Sequence, residues 1–234
     1  LYYLSYNLGI NIIIRIDQKM KTFKFGESKI FLHHNDLPTG IKYPDKIAID
    51  TETTGLSLVR DRLCLIQFAF SKKECHLVKF KKDLSEKDNN SPEIIKLLEN
   101  EKIEKIFHYA RFDAAMIKKF LKVELKNIFC TKIASKLSRT YTEKHGLKEL
   151  CKEFLNVDLS KAQQSSDWSA DQLSDSQIRY ASNDVIYLFE LKSILEDMLK
   201  KEGRQSLAKK IFEFLPTRIK LDFLDWNDID IFSH

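Results

Sequence analysis

The feature that most constrains this chain is a change of hydrophobic period along its length. The first part carries short β-rich runs: KIFLHH (29–34), KIAIDTE (46–52), LCLIQFAF (63–70) and ECHLVKF (74–80). The last two are separated only by a polar stretch around Lys72 and Lys73, which predicts a hairpin. A polar loop (81–91) follows, and Pro92 opens a helix ending near Asn100. A strand over 103–109 and a helix over 111–122 come next. From there apolar residues recur at i, i+3, i+4, predicting helices over 131–138, 147–155 and 175–200. Strands first, then helices alternating with short strands, predict an α/β fold with a central mixed β-sheet flanked by helices.

Composition narrows the class further. Of 234 residues, 43% are hydrophobic and 31% charged, which excludes a disordered or fibrous chain. No stretch of 18 uncharged apolar residues exists, so no membrane-spanning segment is expected. The net charge of +5 permits a polyanionic partner without demanding one. Cys64, Cys75, Cys130 and Cys151 are scattered and form no zinc-ligand spacing, so a reduced, cytoplasmic protein is expected. Residues 1–19 precede the first Met, Met20, and have neither the basic start nor the cleavage site of a signal peptide. They are expected to be an N-terminal extension, with a single domain over 20–234.

Three segments carry carboxylates in arrangements that ask for an explanation. In Ile47-Ala48-Ile49-Asp50-Thr51-Glu52, strand alternation places Asp50 and Glu52 together on one face. Like charges side by side raise each other's pKa unless a cation sits between them, although a solvated strand end also tolerates acids. In Phe107-His108-Tyr109-Ala110-Arg111-Phe112-Asp113, Asp113 falls in the first turn of a helix, where the dipole favours an anion, and on this segment alone an N-terminal capping role is the first reading. In Tyr180-Ala181-Ser182-Asn183-Asp184, Tyr180 and Asp184 share a helix face with Tyr187, Leu188 and Leu191. An unpaired acid on such a face is expensive to bury.

Together, DTETTGL, FHYARFDAAMI and YASNDVIYL resemble, in order and spacing, the three exonuclease motifs of the DEDD superfamily. The Tyr four residues before the last Asp resembles the DEDDy branch, which includes ribonuclease D. DRLCLIQ, FCTKIASKLSRTYTEKHGLKEL, QQSSDW and FLPTR…LDFLDW…DIDIF are similar to the short nanoRNase C enzymes, from about residue 30 to the C-terminus. The resemblance implies a ribonuclease H-like exonuclease domain. It implies metal-dependent 3′–5′ exoribonuclease activity on short oligoribonucleotides, yielding 5′-monophosphates.

It also implies roles. Asp50, Glu52, Asp113 and Asp184 would bind two divalent cations, Mg²⁺ or Mn²⁺, with Asp50 the bridging ligand. Tyr180 would orient the attacking water rather than deprotonate it, since a phenol ordinarily ionises near 10. Leu56 would wedge against the terminal bases. His108, Gln164, Ser165 and Arg139 are candidate substrate contacts, and each also has a structural reading as a packed, capping or solvated side chain. The lysines around Lys72–Lys82 are read first as a solvated hairpin. The apolar tail (about 203–234) is expected to cover a surface, either its own sheet or, as the resemblance implies, a neighbour in a homo-oligomeric ring, an octamer. The alternatives are ribonuclease D-type trimming of tRNA or other long RNA, and an inactive nucleic-acid-binding module.

Overall fold

The computed structural model describes residues 21–82 and 91–233. The expected extension at 1–19 and most of the polar loop after Lys82 lie outside the described residues. The chain runs β1 (Lys21–Phe25), β2 (Ser28–His34), β3 (Lys46–Thr53), β4 (Leu63–Ser71), β5 (Glu74–Lys79), α1 (Pro92–Glu99), β6 (Glu104–Phe107), α2 (Ala110–Leu121), β7 (Ile128–Cys130), α3 (Thr131–Ser138), α4 (Leu147–Leu155), α5 (Asp175–Ile186), α6 (Leu188–Lys201) and α7 (Gln205–Phe223).

One seven-stranded sheet has the order β1-β2-β5-β4-β3-β6-β7. β4 and β5 form the expected antiparallel hairpin, and β3 pairs antiparallel with β4. On its other side β3 pairs parallel with β6, and β6 parallel with β7. The sheet is therefore mixed, as the order of runs predicts. β4 is buried along its length up to Ser71, which is why it reads as a continuous apolar run rather than an alternating one.

Helices cover both faces. Ile47, Ile49, Ile66, Phe68 and Phe107 meet α1, α2 and the later turns of α7. Ala48, Leu65, Ala69, Cys75 and Leu77 meet α4, α5 and α6. Successive residues of β3 thus serve opposite layers, and the alternation that places Asp50 and Glu52 together is the alternation of the core itself.

The structure differs from expectation in one helix and two strands. The helix expected over 175–200 breaks at Tyr187 into α5 and α6. No Gly or Pro marks the break. It follows from packing, since α5 lies on β3, β4 and β5 whereas α6 lies on α3, α4 and β6. β1 and β7 were not foreseen, because each is short, five and three residues. The tail takes the own-sheet alternative in part: α7 continues through Pro216, and its Leu215 and Ile219 are buried against the sheet and α2. A second group, Leu224, Trp226, Ile229, Ile231 and Phe232, stays exposed beyond the helix. Among the described residues no helix is long and apolar enough to cross a membrane. The four cysteines are free and buried.

Candidate active site

The site lies where the parallel pair β3–β6 ends. β3 delivers Asp50 and Glu52 on the face covered by α5, and α5 delivers Tyr180 and Asp184 one turn apart. Among the described residues, Asp50, Glu52 and Asp184 each offer a carboxylate oxygen within 4.8 Å of the others. α5 is held in place by a capping box: the Ser174 hydroxyl accepts from the Gln177 amide, and the Gln177 side chain accepts from the Ser174 amide.

Asp113 arrives from the other layer. It stands in the first turn of α2, 4% exposed, and accepts a hydrogen bond of 2.6 Å from the Thr51 hydroxyl. Thr51 points away from Asp50 and Glu52 by strand alternation, and that direction brings it to Asp113. All four acids line one cleft of about 700 Å³, together with Leu56, His108, Tyr109, Lys132, Gln164, Ser165, Trp168 and Tyr180. A groove of similar volume, about 720 Å³, lies between α6, α7 and β7, but among the described residues its acids form no cluster of three carboxylates that could hold an ion. Chemistry, not size, distinguishes the two.

The electrostatics of the cleft are those of negative charges short of a counter-ion. Among the described residues none of the four acids makes an ion pair with Lys, Arg or His. Burial, then the neighbouring charges of Asp113, Asp184 and Glu52, raise Asp50 well above the carboxylate range. Burial followed by Asp184 and Asp113 raises Glu52 to about 9. Burial raises Asp113 and Asp184 to about 7 each, against the Thr51 and Tyr180 hydroxyls that favour their ionised forms. The Tyr180 phenol is pushed above its ordinary range by burial, then by Asp184, Glu52 and Asp50. Oxygen-only ligands, crowded and mutually repelling, match the donor set of a hard divalent cation. Asp50, Glu52 and Asp184 would hold such an ion directly, with Asp113 facing the same cleft.

The rim is built by a short loop. Gly55 approaches Asp61 so closely that a Cβ would lie 2.5 Å from its Oδ2. Asp61 in turn accepts from the Ser57 backbone N–H at 2.8 Å and from the Thr54 hydroxyl at 3.3 Å. This turn lifts Leu56 to 84% exposure at the cleft mouth, beside Val59 at 83%. Trp168 packs on the Tyr180 ring with centroids 5.9 Å apart. His108 lines the cleft with Nδ1 2.9 Å from the Thr131 hydroxyl, and its Nε2 is buried with no hydrogen-bond partner among the described residues. Burial, then Lys132, moves its pKa down to about 3, so the ring is neutral. Gln164 and Ser165 line the opposite wall.

Arg139 is a correction. It was expected to meet a phosphate from an open loop, but it is 1% exposed and absent from the cleft. Its Nη1 donates to the Lys144 carbonyl at 2.7 Å and to the Ser135 hydroxyl at 3.1 Å, and its Nη2 pairs with Glu153. The guanidinium therefore ties the loop after α3 to α4. The cations that do line the cleft are Lys132, Lys148 and Lys161. Sequence reasoning missed them, together with Thr51 and Asp61. The position of Lys132 beside the start of α3 is the one signal that would have found it.

The comparisons agree with this geometry. A profile described as 3′–5′ exonuclease matches residues 27–200. A structure of NrnC from Brucella melitensis bound to pGG superposes with a TM-score of 0.82 at 46% identity, covering 88% of this chain and 98% of that one. The same protein with bound Mg²⁺ gives a TM-score of 0.81 at 45% identity, with the same coverage. Among curated proteins, DNA polymerase I of Aquifex aeolicus is 34% identical over 73% of this chain and 26% of its own length. Ribonuclease D of Bartonella henselae is 29% identical over 70% of this chain and 39% of its own length. The chain thus spans roughly a quarter to two-fifths of these curated relatives.

Proposed function

The chain belongs to the 3′–5′ exonuclease family, and from that premise we propose that it is a divalent-metal-dependent exoribonuclease that hydrolyses short oligoribonucleotides, dinucleotides foremost, to 5′-monophosphates. The convergence of Asp50, Glu52 and Asp184 beside Tyr180 carries the reading. In the hydrolysis, water adds to phosphorus, the P–O3′ bond breaks, and the 3′-terminal nucleotide leaves as a 5′-monophosphate. Divalent cations, when bound, lower the pKa of the water and offset charge on the leaving oxygen. Asp50, Glu52, Asp113 and Asp184 are the residues to hold them.

The chain's other groups have separable tasks. Tyr180 stays protonated at neutral pH, so it orients the water through its hydroxyl rather than taking a proton. Leu56, exposed at the mouth, offers an apolar face for the terminal base. Lys132 supplies positive charge at the wall of the cleft, where a phosphate would be drawn. Neutral His108 contributes no charge, and its place in the cleft suits a contact to sugar or base.

The preference for short RNA rests on the near-complete overlap with NrnC, whose structure holds pGG. A homo-oligomer is part of the same proposal, with the exposed Leu224, Trp226, Ile229, Ile231 and Phe232 as the surface that a neighbouring copy covers. The rival is ribonuclease D-type trimming of tRNA or other long RNA. An inactive binding module is disfavoured because every acid of the motifs is present. Time-resolved product analysis on 5′-labelled RNAs, from dinucleotide to tRNA length, tests the reading. Rapid consumption of dinucleotides with slow attack on long RNA is expected. Equal or faster trimming of tRNA favours the rival, and no nucleotide release with Mg²⁺ or Mn²⁺ favours the binding module.

A further inference from the structure

Trp168 is 2% exposed at the wall of the cleft, and its ring packs on that of Tyr180 with centroids 5.9 Å and planes 42° apart. Its indole N–H is buried with no hydrogen-bond partner among the described residues. Buried indoles usually find an acceptor, so this one carries a cost that a Phe or Leu in the same space would not. What Trp alone brings is a large rigid ring, and that ring lies against Tyr180.

Trp168 is held independently of the phenol. The loop before α5 is tied to the first turn of that helix by Gln177, whose amide nitrogen donates to the Asp167 carbonyl and to the Ser166 hydroxyl, each at 3.1 Å. From the sheet, Lys79 Nζ donates to the Trp168 carbonyl at 3.4 Å. Gln177 and Tyr180 stand three apart on α5, so the tether of the loop and the phenol share a helix face.

The phenol itself has one polar hold. Its hydroxyl faces Asp184, one turn along the helix, and favours the ionised carboxylate. Asp184 is also one of the three carboxylates placed to hold an ion, and a hydroxyl that orients a water must turn toward that water instead. A Tyr side chain rotates about two torsions, and once the hydroxyl is engaged elsewhere the packing of its ring fixes them. Among the described residues Trp168 is the aromatic ring packed on it.

We propose that Trp168 is a positioning residue for Tyr180: its ring sets the torsions of the phenol, and so the place of the hydroxyl in the cleft. The proposal rests on the hydrolytic reading above, in which Tyr180 orients the attacking water. Gln164 and Ser165 lie on the same loop and line the cleft, so a loop that merely lost its shape would disturb substrate binding as well. Loss of positioning alone acts on the chemical step, where a small misplacement of a catalytic group costs up to about 10²-fold.

The test is a double-variant cycle on the full chain, with dinucleotide hydrolysis at saturating Mn²⁺ measured for wild type, Trp168→Leu, Tyr180→Phe and the pair combined. The expected result is a kcat for Trp168→Leu lowered by about 10-fold or more, bounded by the loss in Tyr180→Phe, with KM and calorimetric Mn²⁺ affinity unchanged. Trp168→Phe, which keeps a ring, should recover most of the kcat. The combined variant should turn over as Tyr180→Phe does, because the group being positioned is already gone. A role in packing alone predicts otherwise: the loss caused by Trp168→Leu recurs in the Tyr180→Phe background, and KM rises. That additive outcome, or wild-type kcat in Trp168→Leu, overturns the Trp168 proposal alone. No hydrolysis by the wild type, or wild-type kcat in Tyr180→Phe, overturns the reading of the site and the proposal with it. Should Trp168→Leu not fold, Trp168→Met enters the same cycle under the same outcomes.

Discussion

Asp113→Asn separates the charge of the site from its architecture. Asp113 is 4% exposed, and burial moves its pKa from 3.8 to about 7. The Thr51 hydroxyl donates to its Oδ1 at 2.6 Å, and Asn retains that acceptor while losing the ionisable group. A carboxyl whose pKa is raised by folding stabilises the fold below its unfolded value, 3.8, and that stability is lost as pH rises through about 7. Each pKa unit is worth about 1.4 kcal/mol, so ionised Asp113 withholds about 4 kcal/mol from the metal-free protein. In a chain of this size about 1 kcal/mol moves Tm by roughly 2–4 °C. The variant, melted in chelator near pH 8.5, should therefore exceed wild type by on the order of 10 °C, and by little near pH 4. Saturating Mn²⁺ should close the gap, because the wild type gains more from the ion than the variant does. Hydrolysis should be lost in the variant throughout. A variant that melts at or below wild type near pH 8.5 in chelator would refute the argument, as would an equal advantage at both pH values.

Tyr180→Phe should slow the chemical step by about 10²-fold, the scale of a positioned acid–base group, and leave Mn²⁺ affinity by calorimetry unchanged. An affinity loss as large as that of Asp184→Asn would make Tyr180 part of the ligand set. Gly55→Ala forces a Cβ to within 2.5 Å of Asp61 Oδ2 and should destabilise the rim by about 1–3 kcal/mol, with KM rising because Leu56 is displaced; an unchanged KM counts against Leu56 as a base contact. Arg139→Met strands the loop after α3 and should lower the melting temperature while sparing the KM of the folded fraction, which steady-state kinetics with dinucleotide will read. A stop after Asp225 should dissociate an oligomer, as measured by light scattering. The cut lies beyond Asp222, which Arg111 holds through two bonds of 2.7 Å, so the anchor of α7 to α2 is kept.

Much of the site was legible because two periodicities carry it. Period two places Asp50 with Glu52, and the i, i+4 step places Tyr180 with Asp184. The mixed sheet and the β4–β5 hairpin followed from run lengths and turn residues for the same local reason, whereas the strand order was not legible. What stayed hidden depends on contacts between distant segments. Thr51 reads as a strand filler until α2 brings Asp113 to it across 62 positions. Arg139, in a run of polar residues, reads as solvated, and the approach of Glu153 and Phe154 from α4 is what the sequence does not show. Asp61 looks like a loop acid, whereas its role is set by the backbone of Gly55 and Ser57. The break at Tyr187 carries no breaker residue, because its cause lies in the two surfaces that α5 and α6 cover.

The placement of the cleft follows from the sheet rather than from any one motif. Along the body of β3, residues of opposite parity are separated by the thickness of the sheet, so Asp50 and Asp113 would belong to different layers. At the end of the strand the sheet no longer divides them. There Asp50 and Glu52 reach around one side, and Thr51 reaches the other side to hold Asp113. β6, parallel to β3, pairs with it only up to Ala48 and then feeds α2, so β3 carries Asp50 and Glu52 beyond β6, and the first turn of α2 places Asp113 where the helix dipole favours an anion. Crevices outside the carboxyl ends of parallel strands are the usual ligand sites of α/β sheets for this geometric reason. The arrangement stores repulsion in the metal-free protein, since buried acids without cations oppose folding as they ionise. An ion that relieves this repulsion is bound more tightly by the folded chain than by the unfolded one, so stability and metal occupancy rise together.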